Sequence, residues 1–293
     1  MLIHNNKISN GIKNRALILV SLLLLNIIFF YFAYSDREKL KVIFLDVGQG
    51  DAIFIQSPTG NQLLIDSGNG ADILTKLGQV MPFFDRSIDA VLTTHPDQDH
   101  IGGLPDVLKF YKVIKYFQNG SDYNTATAKE VLKNIDAEKI ENITLCRGEI
   151  LDIGGGAYLE IFWPLTCDQT EKSSDTNSDS IVAKLVYGKN SVLLTGDAPQ
   201  KTEKALVYLD PFFLQSDILK VGHHGSKNSS SEDFLRAVSS TEAVISVGLD
   251  NRYGHPNIET INRLKDIGEK ISETSLWGNV LFYFDERGAC EKF

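Results

Sequence analysis

The sequence predicts a mixed α/β protein. Two β-rich halves with helices outside them stack as a four-layer sandwich, behind one N-terminal transmembrane helix. Three observations predict it. Strand-type runs fall in two blocks, each interleaved with helix-type runs. Residues able to bind a metal stand at strand ends in both blocks. The first long apolar run, Ala16 to Ser35, holds no charged side chain.

That run comes first in the chain. About 20 residues at 1.5 Å rise cross the roughly 30 Å hydrocarbon core of a bilayer. Residues 1–15 carry Lys7, Lys13 and Arg15 and no acid, so they are expected to stay cytoplasmic. Tyr31 and Tyr34 suit the far interface. The expected topology is a single pass through the cytoplasmic membrane, with residues 36–293 as an extracytoplasmic domain. A cleaved signal peptide is the rival reading, but Phe32-Ala33-Tyr34-Ser35 lacks a small-x-small cleavage site.

After the charged linker Asp36 to Lys39, Leu40 to Leu45 is a β-type run. Gly48-Gln49-Gly50-Asp51 breaks it and Ala52 to Gln56 resumes, a strand, turn, strand pattern. Pro58-Thr59-Gly60-Asn61 makes a second turn before the strand Leu63 to Ile65, which ends at Asp66-Ser67-Gly68. Another strand runs from Asp89 to Thr94. A helix is expected from Leu104 to Tyr111, and a second within Ser121 to Ile140, where Val131, Leu132 and Ile135 share an apolar face.

The second block opens with strands at Glu149 to Ile153 and Leu159 to Phe162. Thr166 to Ser180 is polar and rich in Ser and Asp, the composition of a loop. Ile181 to Tyr187 and Ser191 to Thr195 form a hairpin through Gly188-Lys189-Asn190. Helices follow at Gln200 to Leu209, Ser231 to Val238 and Ile258 to Ile267. The remaining strands are Asp217 to Val221, Ala243 to Val247 and Val280 to Phe284.

A net charge of −9 removes the global basic footprint common among nucleic-acid binders. It does not exclude a nuclease whose metal ions contact the phosphates. Cys146, Cys167 and Cys290 form no CxxC pair, and an odd, sparse set argues against a disulfide scaffold and against a zinc ribbon.

The densest chemistry lies in Thr94-His95-Pro96-Asp97-Gln98-Asp99-His100-Ile101-Gly102-Gly103. Four side chains that bind metals, His95, Asp97, Asp99 and His100, fall within one short run after an apolar strand. Carboxylates packed this closely repel and desolvate one another unless a cation joins them. The chain has 6 His, and five of them, His95, His100, His223, His224 and His255, sit beside Gly, Pro or Asp in turn-like contexts. Neutral imidazole is the commonest metal ligand, so the three His-bearing loops are expected to converge. Asp197, in Leu193-Leu194-Thr195-Gly196-Asp197, offers a carboxylate able to bridge two cations; its bland alternative is a helix cap before Pro199. Asp66 is read as orienting a ligand in the first loop, or as an Asx turn. On an extended His223-His224 pair the two rings would point opposite ways. Lys220, Lys227 and Arg252 flank these loops and would add local positive potential.

These residues carry a resemblance. His95-x-Asp97-x-Asp99-His100 resembles the HxHxDH motif of the metallo-β-lactamase superfamily, with Asp for the middle His. Together with Asp46-Val47-Gly48-Gln49-Gly50-Asp51, Leu194-Thr195-Gly196-Asp197, His223-His224-Gly225-Ser226 and Tyr253-Gly254-His255-Pro256, it is similar to the C-terminal hydrolase domain of ComEC-type DNA-uptake proteins over roughly residues 40 to 285. The resemblance implies an αββα sandwich. It implies that His95 and Asp97 hold one metal, that Asp99, His100 and His255 hold a second, and that Asp197 bridges them. No His lies between His100 and His223, where the superfamily usually has one; Asn177 resembles the Asn of ComEC-type domains there.

Oxygen-rich ligation of this kind favours Mn²⁺ or Mg²⁺ over Zn²⁺. The expected activity is two-metal hydrolysis of DNA or another phosphodiester, with Asp99 orienting the attacking water and His223 or His224 protonating the leaving oxygen. Two other classes stay open on the residues: a hydrolase of small esters or amides, and a binding partner that keeps the fold without catalysis. Protein partners are not legible.

Overall fold

The computed structural model describes residues 14–27, 39–121, 124–168, 175–288 and 290–293. The chain divides into two compact units, Met1–Lys39 and Leu40–Phe293. In the first, residues 14–27 form helix α1. Among the described residues no helix is long and apolar enough to cross a membrane. Residues 28–35 of the expected span, with Tyr31 and Tyr34, lie outside the described residues, as do 169–174 of the expected loop.

The second unit begins with β1 (Leu40–Phe44), β2 (Ile53–Gln56), β3 (Gln62–Ile65), α2 (Asp72–Val80) and β4 (Ser87–Leu92). Next come α3 (Gln98–Ile101), α4 (Leu104–Phe110), β5 (Lys112–Gln118), α5 (Ala126–Ala137) and β6 (Glu141–Thr144). The second half runs β7 (Ile150–Gly154), β8 (Ala157–Trp163), β9 (Val182–Tyr187), β10 (Asn190–Leu194), α6 (Gln200–Leu209), β11 (Ile218–Lys220) and α7 (Glu232–Val238). It closes with β12 (Glu242–Ile245), α8 (Ile258–Asp266), β13 (Lys270–Glu273), α9 (Thr274–Trp277), β14 (Val280–Phe284) and β15 (Cys290–Lys292).

Two sheets result, ordered β15-β14-β1-β2-β3-β4-β5-β6 and β13-β12-β11-β10-β9-β8-β7. Strand alternation explains how they stack. Leu40, Val42 and Phe44 of β1 face inward with Leu159, Leu185 and Leu194 of the other sheet, whereas Ile43 faces outward. The outer face of the first sheet packs on Ile73, Leu77, Val107, Val131 and Ile135 of the helices α2, α4 and α5. That of the second packs on Leu206, Phe234, Leu235 and Leu264 of α6, α7 and α8. Each fully buried Phe or Leu contributes about 1.5–3 kcal/mol.

Strand direction positions everything that follows. β1, β3, β4, β5 and β6 run one way in the first sheet. β10, β11, β12 and β13 are mutually parallel in the second. Their C-terminal ends share one end of the sandwich. Seven of the elements, α2, α3, β5, β6, β13, α9 and β15, go beyond the sequence expectation.

The cysteines correct another expectation. Cys146 and Cys167 form a disulfide, and Cys290 is free. Their separation of 21 residues hid the pairing. The loop before β7 hydrogen-bonds back across β8, Arg147 N to Pro164 O at 2.7 Å and Gly148 N to Ile161 O at 2.9 Å, which brings the two thiols together.

Candidate metal centre

The loops at the C-terminal strand ends carry the candidate residues. β3 ends in Asp66, held in the left-handed region at φ 58°, where Asp is better tolerated than most residues. Its carboxylate accepts from the Thr94 backbone N (2.8 Å), the Thr94 hydroxyl (2.7 Å) and His100 Nδ1 (2.8 Å). With Nδ1 donating to Asp66, His100 turns Nε2 toward Asp197 Oδ1, 3.3 Å away. This is the carboxylate–imidazole relay that fixes the tautomer of a metal ligand. The His95 ring lies 4.1 Å from that of His100, centroid to centroid. Gly50 lets the β1–β2 loop close on this segment: a Cβ there would stand 2.1 Å from Asp99 O.

The second half supplies the facing side. Asp197 follows β10, with its N–H donating to Ser180 Oγ at 3.2 Å. The α6 cap residue is Pro199 and has no side-chain cap bond, so Asp197 is not a capping group. After β11 the chain makes a turn in which His223 (φ 48°) and His224 (φ 52°) are both left-handed. Each such residue costs on the order of 1–2 kcal/mol, strain of the kind held at functional sites. An extended pair would splay the rings; this turn aims both at one carboxylate. His223 Nε2 is 3.7 Å and His224 Nε2 is 3.5 Å from Asp197 Oδ2. His224 Nδ1 donates to Ser246 O at 2.9 Å, leaving Nε2 inward, 3.4 Å from Asp99 Oδ2.

Two groups of donors therefore converge, His95, His100 and Asp197, and Asp99, His100 and His224, with ligand atoms within 4.8 Å of one another in each. Asp51, Asp197 and His224 form another such group. Residues 45–129 match the metallo-beta-lactamase superfamily. ComE operon protein 3 of Bacillus subtilis (strain 168) is 29% identical over 89% of this chain and 35% of its own length. Competence protein ComA of Neisseria gonorrhoeae is 31% identical over 85% of this chain and 33% of its own. The chain carries a metallo-β-lactamase domain.

Its homologues are ComEC-type competence proteins, and the chain spans about a third of the length of these relatives. Among solved structures, CmlA, a diiron β-hydroxylase from Streptomyces venezuelae, matches with TM-score 0.54 at 15% identity, over 85% of this chain and 54% of that one. Likeness at that identity is one of fold alone. The metallo-β-lactamase fold is a metal-dependent hydrolase fold that binds divalent ions, often two.

The donors fit such ions. His95 Nε2, His100 Nε2, His224 Nε2, Asp51 Oδ1 and Asp197 Oδ1 are all buried without a hydrogen-bond partner. Buried polar atoms are normally satisfied, so a cluster of orphans around one point marks where a cation belongs. Burial pushes His95 down to about 3, and His100 adds to this. Burial also opposes ionised Asp197, yet His224, His100 and Lys220 hold its pKa well below the usual range. His224 is pushed up to about 9: burial works against its charge, but Asp197 and Asp51 outweigh it.

The other expected residues are more peripheral. Asp97 Oδ2 is 3.8 Å from His95 Nε2, while its Oδ1 accepts from Thr176 Oγ1 at 2.6 Å. Burial raises its pKa despite that bond. Asn177 Nδ2 is 3.5 Å from His223 Nδ1. His255 joins none of the close donor groups among the described residues. Its ring stands 5.8 Å from that of His223 and stacks on Tyr253 at 6.0 Å.

Two residues escaped the sequence reading. Asp51 was read as part of a turn and of a motif in the resemblance, with no role of its own, and Lys220 as a flanking cation. Both are buried, and Lys220 Nζ pairs with Asp51 Oδ2 and donates to Gly196 O at 3.0 Å. The signal was present in Ile218-Leu219-Lys220-Val221: a cation inside an apolar strand needs a buried carboxylate. Lys227 and Arg252 are exposed, as expected of flanking cations.

Proposed function

We propose that this chain hydrolyses phosphodiesters, with DNA as its substrate, outside the cytoplasmic membrane to which residues 16–35 tether it. The observation that carries the reading is the set of buried, unpartnered donors around Asp197, beneath a rim bearing Arg252 and Tyr253. Arg252 lies over the Tyr253 ring at 5.0 Å and donates to its hydroxyl at 2.8 Å. An exposed aromatic ring beside a guanidinium suits a nucleobase and its phosphate. The competence proteins among the homologues support a DNA substrate. The Cys146–Cys167 bridge supports an oxidising compartment, as expected outside the cytoplasmic membrane.

His95, His100 and Asp197 would hold one divalent ion, and Asp99 and His224 would serve a second. Mn²⁺ is favoured, with Zn²⁺ and Mg²⁺ behind it. Such ions supply Lewis acidity, acidifying water and offsetting phosphoryl charge. The chain's own residues do the rest. Asp66 locks the His100 tautomer. Asp99, partly exposed, orients the attacking water and takes its proton. His223, 30% exposed, reaches solvent and hands a proton to the leaving oxygen, with Asn177 steadying the ring.

The test uses the full chain in lipid nanodiscs with Mn²⁺, single-stranded DNA and a p-nitrophenyl phosphodiester. Elemental analysis should find bound metal, and Asp99→Ala should slow DNA cleavage roughly 10²–10⁴-fold. Metal binding with turnover of carboxylic esters alone, or of no ester, would overturn the reading.

A further inference from the structure

The end of the sandwich opposite the metal centre exposes large apolar side chains that nothing in the proposed chemistry uses. Phe83 and Phe84 are 86% and 88% exposed in the loop that leads into the start of β4. Phe212 and Phe213, 86% and 64% exposed, lead toward the start of β11, with Tyr208 beside them at 86%. Phe110 precedes the start of β5. Since β4, β5 and β11 all deliver their C-terminal ends toward the site, these rings share the other end. Asn190 Nδ2 donates to Asp285 O at 2.6 Å, tying the start of β10 to the strand end beside Leu40. The two sheets therefore present this end together.

Exposed rings in pairs, on both layers, exceed the scattered apolar exposure normal on a surface. Cations accompany them. The Arg86 guanidinium lies 5.8 Å from the Phe83 ring centroid and 5.9 Å from that of Tyr111. Lys109 Nζ lies 5.5 Å from that of Phe110. Aromatic rings beside Lys and Arg are the composition of a membrane interface.

Chain connectivity selects the occupant. β1 begins at Leu40, at this same end. Only residues 36–39 separate Leu40 from the uncharged run that ends at Ser35. Even fully extended, that stretch spans roughly 18 Å. Strand β4 alone is about 20 Å long, and loops extend it at both ends. An inverted domain would carry Leu40 beyond the reach of its tether.

We propose that this end is a bilayer-docking face, carried by Phe83, Phe84, Phe110, Phe212 and Phe213, which holds the metal centre pointing away from the lipid. The proposal rests on residues 16–35 being a membrane anchor, as inferred above. It narrows the substrate class. A site held about 20 Å or more from the headgroups takes a phosphodiester from the aqueous phase and not one within the lipid.

The test places single cysteines in the full chain. With the free Cys290 changed to Ser, Phe83→Cys, Phe212→Cys and, at the site end, Tyr253→Cys each carry an environment-sensitive dye. Each protein is reconstituted in anionic phosphatidylglycerol vesicles with and without spin-labelled acyl chains. The expected result is a blue shift and lipid-dependent loss of emission at 83 and 212, with neither at 253. Labels at 83 and 212 as wet as that at 253, or quenching at 253 instead, would overturn the docking face. A blue shift that grows with protein concentration and ignores the spin-labelled lipid would assign the face to a second copy, and overturn it as well. Resistance of the protein to carbonate extraction reports the anchor separately. Protein that resists extraction but carries wet labels at 83 and 212 sinks the docking face alone; protein that is extracted sinks the anchor on which the docking face rests.

Discussion

At one end of the sandwich Asp51, Asp66, Asp197 and Lys220 are buried, while at the other Phe83, Phe84, Phe212 and Phe213 stand exposed. Both placements run against the hydrophobic effect. Taking an ion out of water costs several kcal/mol, so the site end survives only because each carboxylate meets a cation or an N–H. The far end has little such constraint, since an exposed ring costs no buried polar group its partner. Glu269 makes the contrast within one residue type. It stands at the start of β13, at the far end, bonded to Ser240 Oγ at 2.6 Å but with Oε2 buried and unpartnered. Burial there pushes its pKa up to about 7, whereas Asp197, also buried, is held low by the cations facing it. Burial alone does not set the charge state of a carboxylate; its partner does.

The comparison is broken most severely by removing the Asp51 partner. Lys220→Met should cost about 3–5 kcal/mol in urea unfolding, because it strands a buried carboxylate. Adding Asp51→Asn should recover part of that loss; no recovery would mean that Lys220 acts through packing. Asp66→Asn should be milder for the fold but should weaken metal binding roughly 10–100-fold, read by chelator competition, because His100 loses the group that fixes its tautomer.

Glu269 yields a pH signature. Its folded pKa, about 7, lies above the ordinary 4.5, so the folded state favours the proton. Its stability contribution is full below pH 4.5, declines as pH rises toward 7, and is level above that. Glu269→Gln should flatten this decline, a change on the order of 1–3 kcal/mol, seen in urea midpoints across the window. The smallest effect belongs to the exposed rings. Phe83→Ser with Phe212→Ser should leave stability in detergent within about 0.5 kcal/mol; a larger loss would make those rings part of the fold rather than a surface.

How much was legible follows from what each pattern encodes. Gln200–Leu209 and Ile258–Asp266 stood out because a single helix period matches their buried faces, and Leu40–Phe44 stood out as a short apolar β-type run between a charged linker and a Gly-rich turn. β5 did not, since Lys112, Ile114 and Lys115 are exposed while Tyr116, Phe117 and Gln118 are consecutively buried, which breaks the alternation. The dense His95–His100 run announced a metal site by composition. Lys220 was misread because its sequence neighbours say nothing of Asp51, 169 positions away, which neutralises it.

The sequence by itself determined the two-block sandwich and the strand ends that bear candidate ligands, and it singled out His95, Asp99, His100 and Asp197, which the fold brings together. Those follow from local periodicity and from the scarcity of uncompensated acid–imidazole runs. Only the tertiary structure decided that His223 and His224 turn left-handed toward one carboxylate, that His255 stands off beside Tyr253, and that Asp51 and Lys220 neutralise each other beneath the site. Those depend on distances between segments far apart in the chain, set when two sheets stack and their parallel strands end together, and no local pattern carries that information.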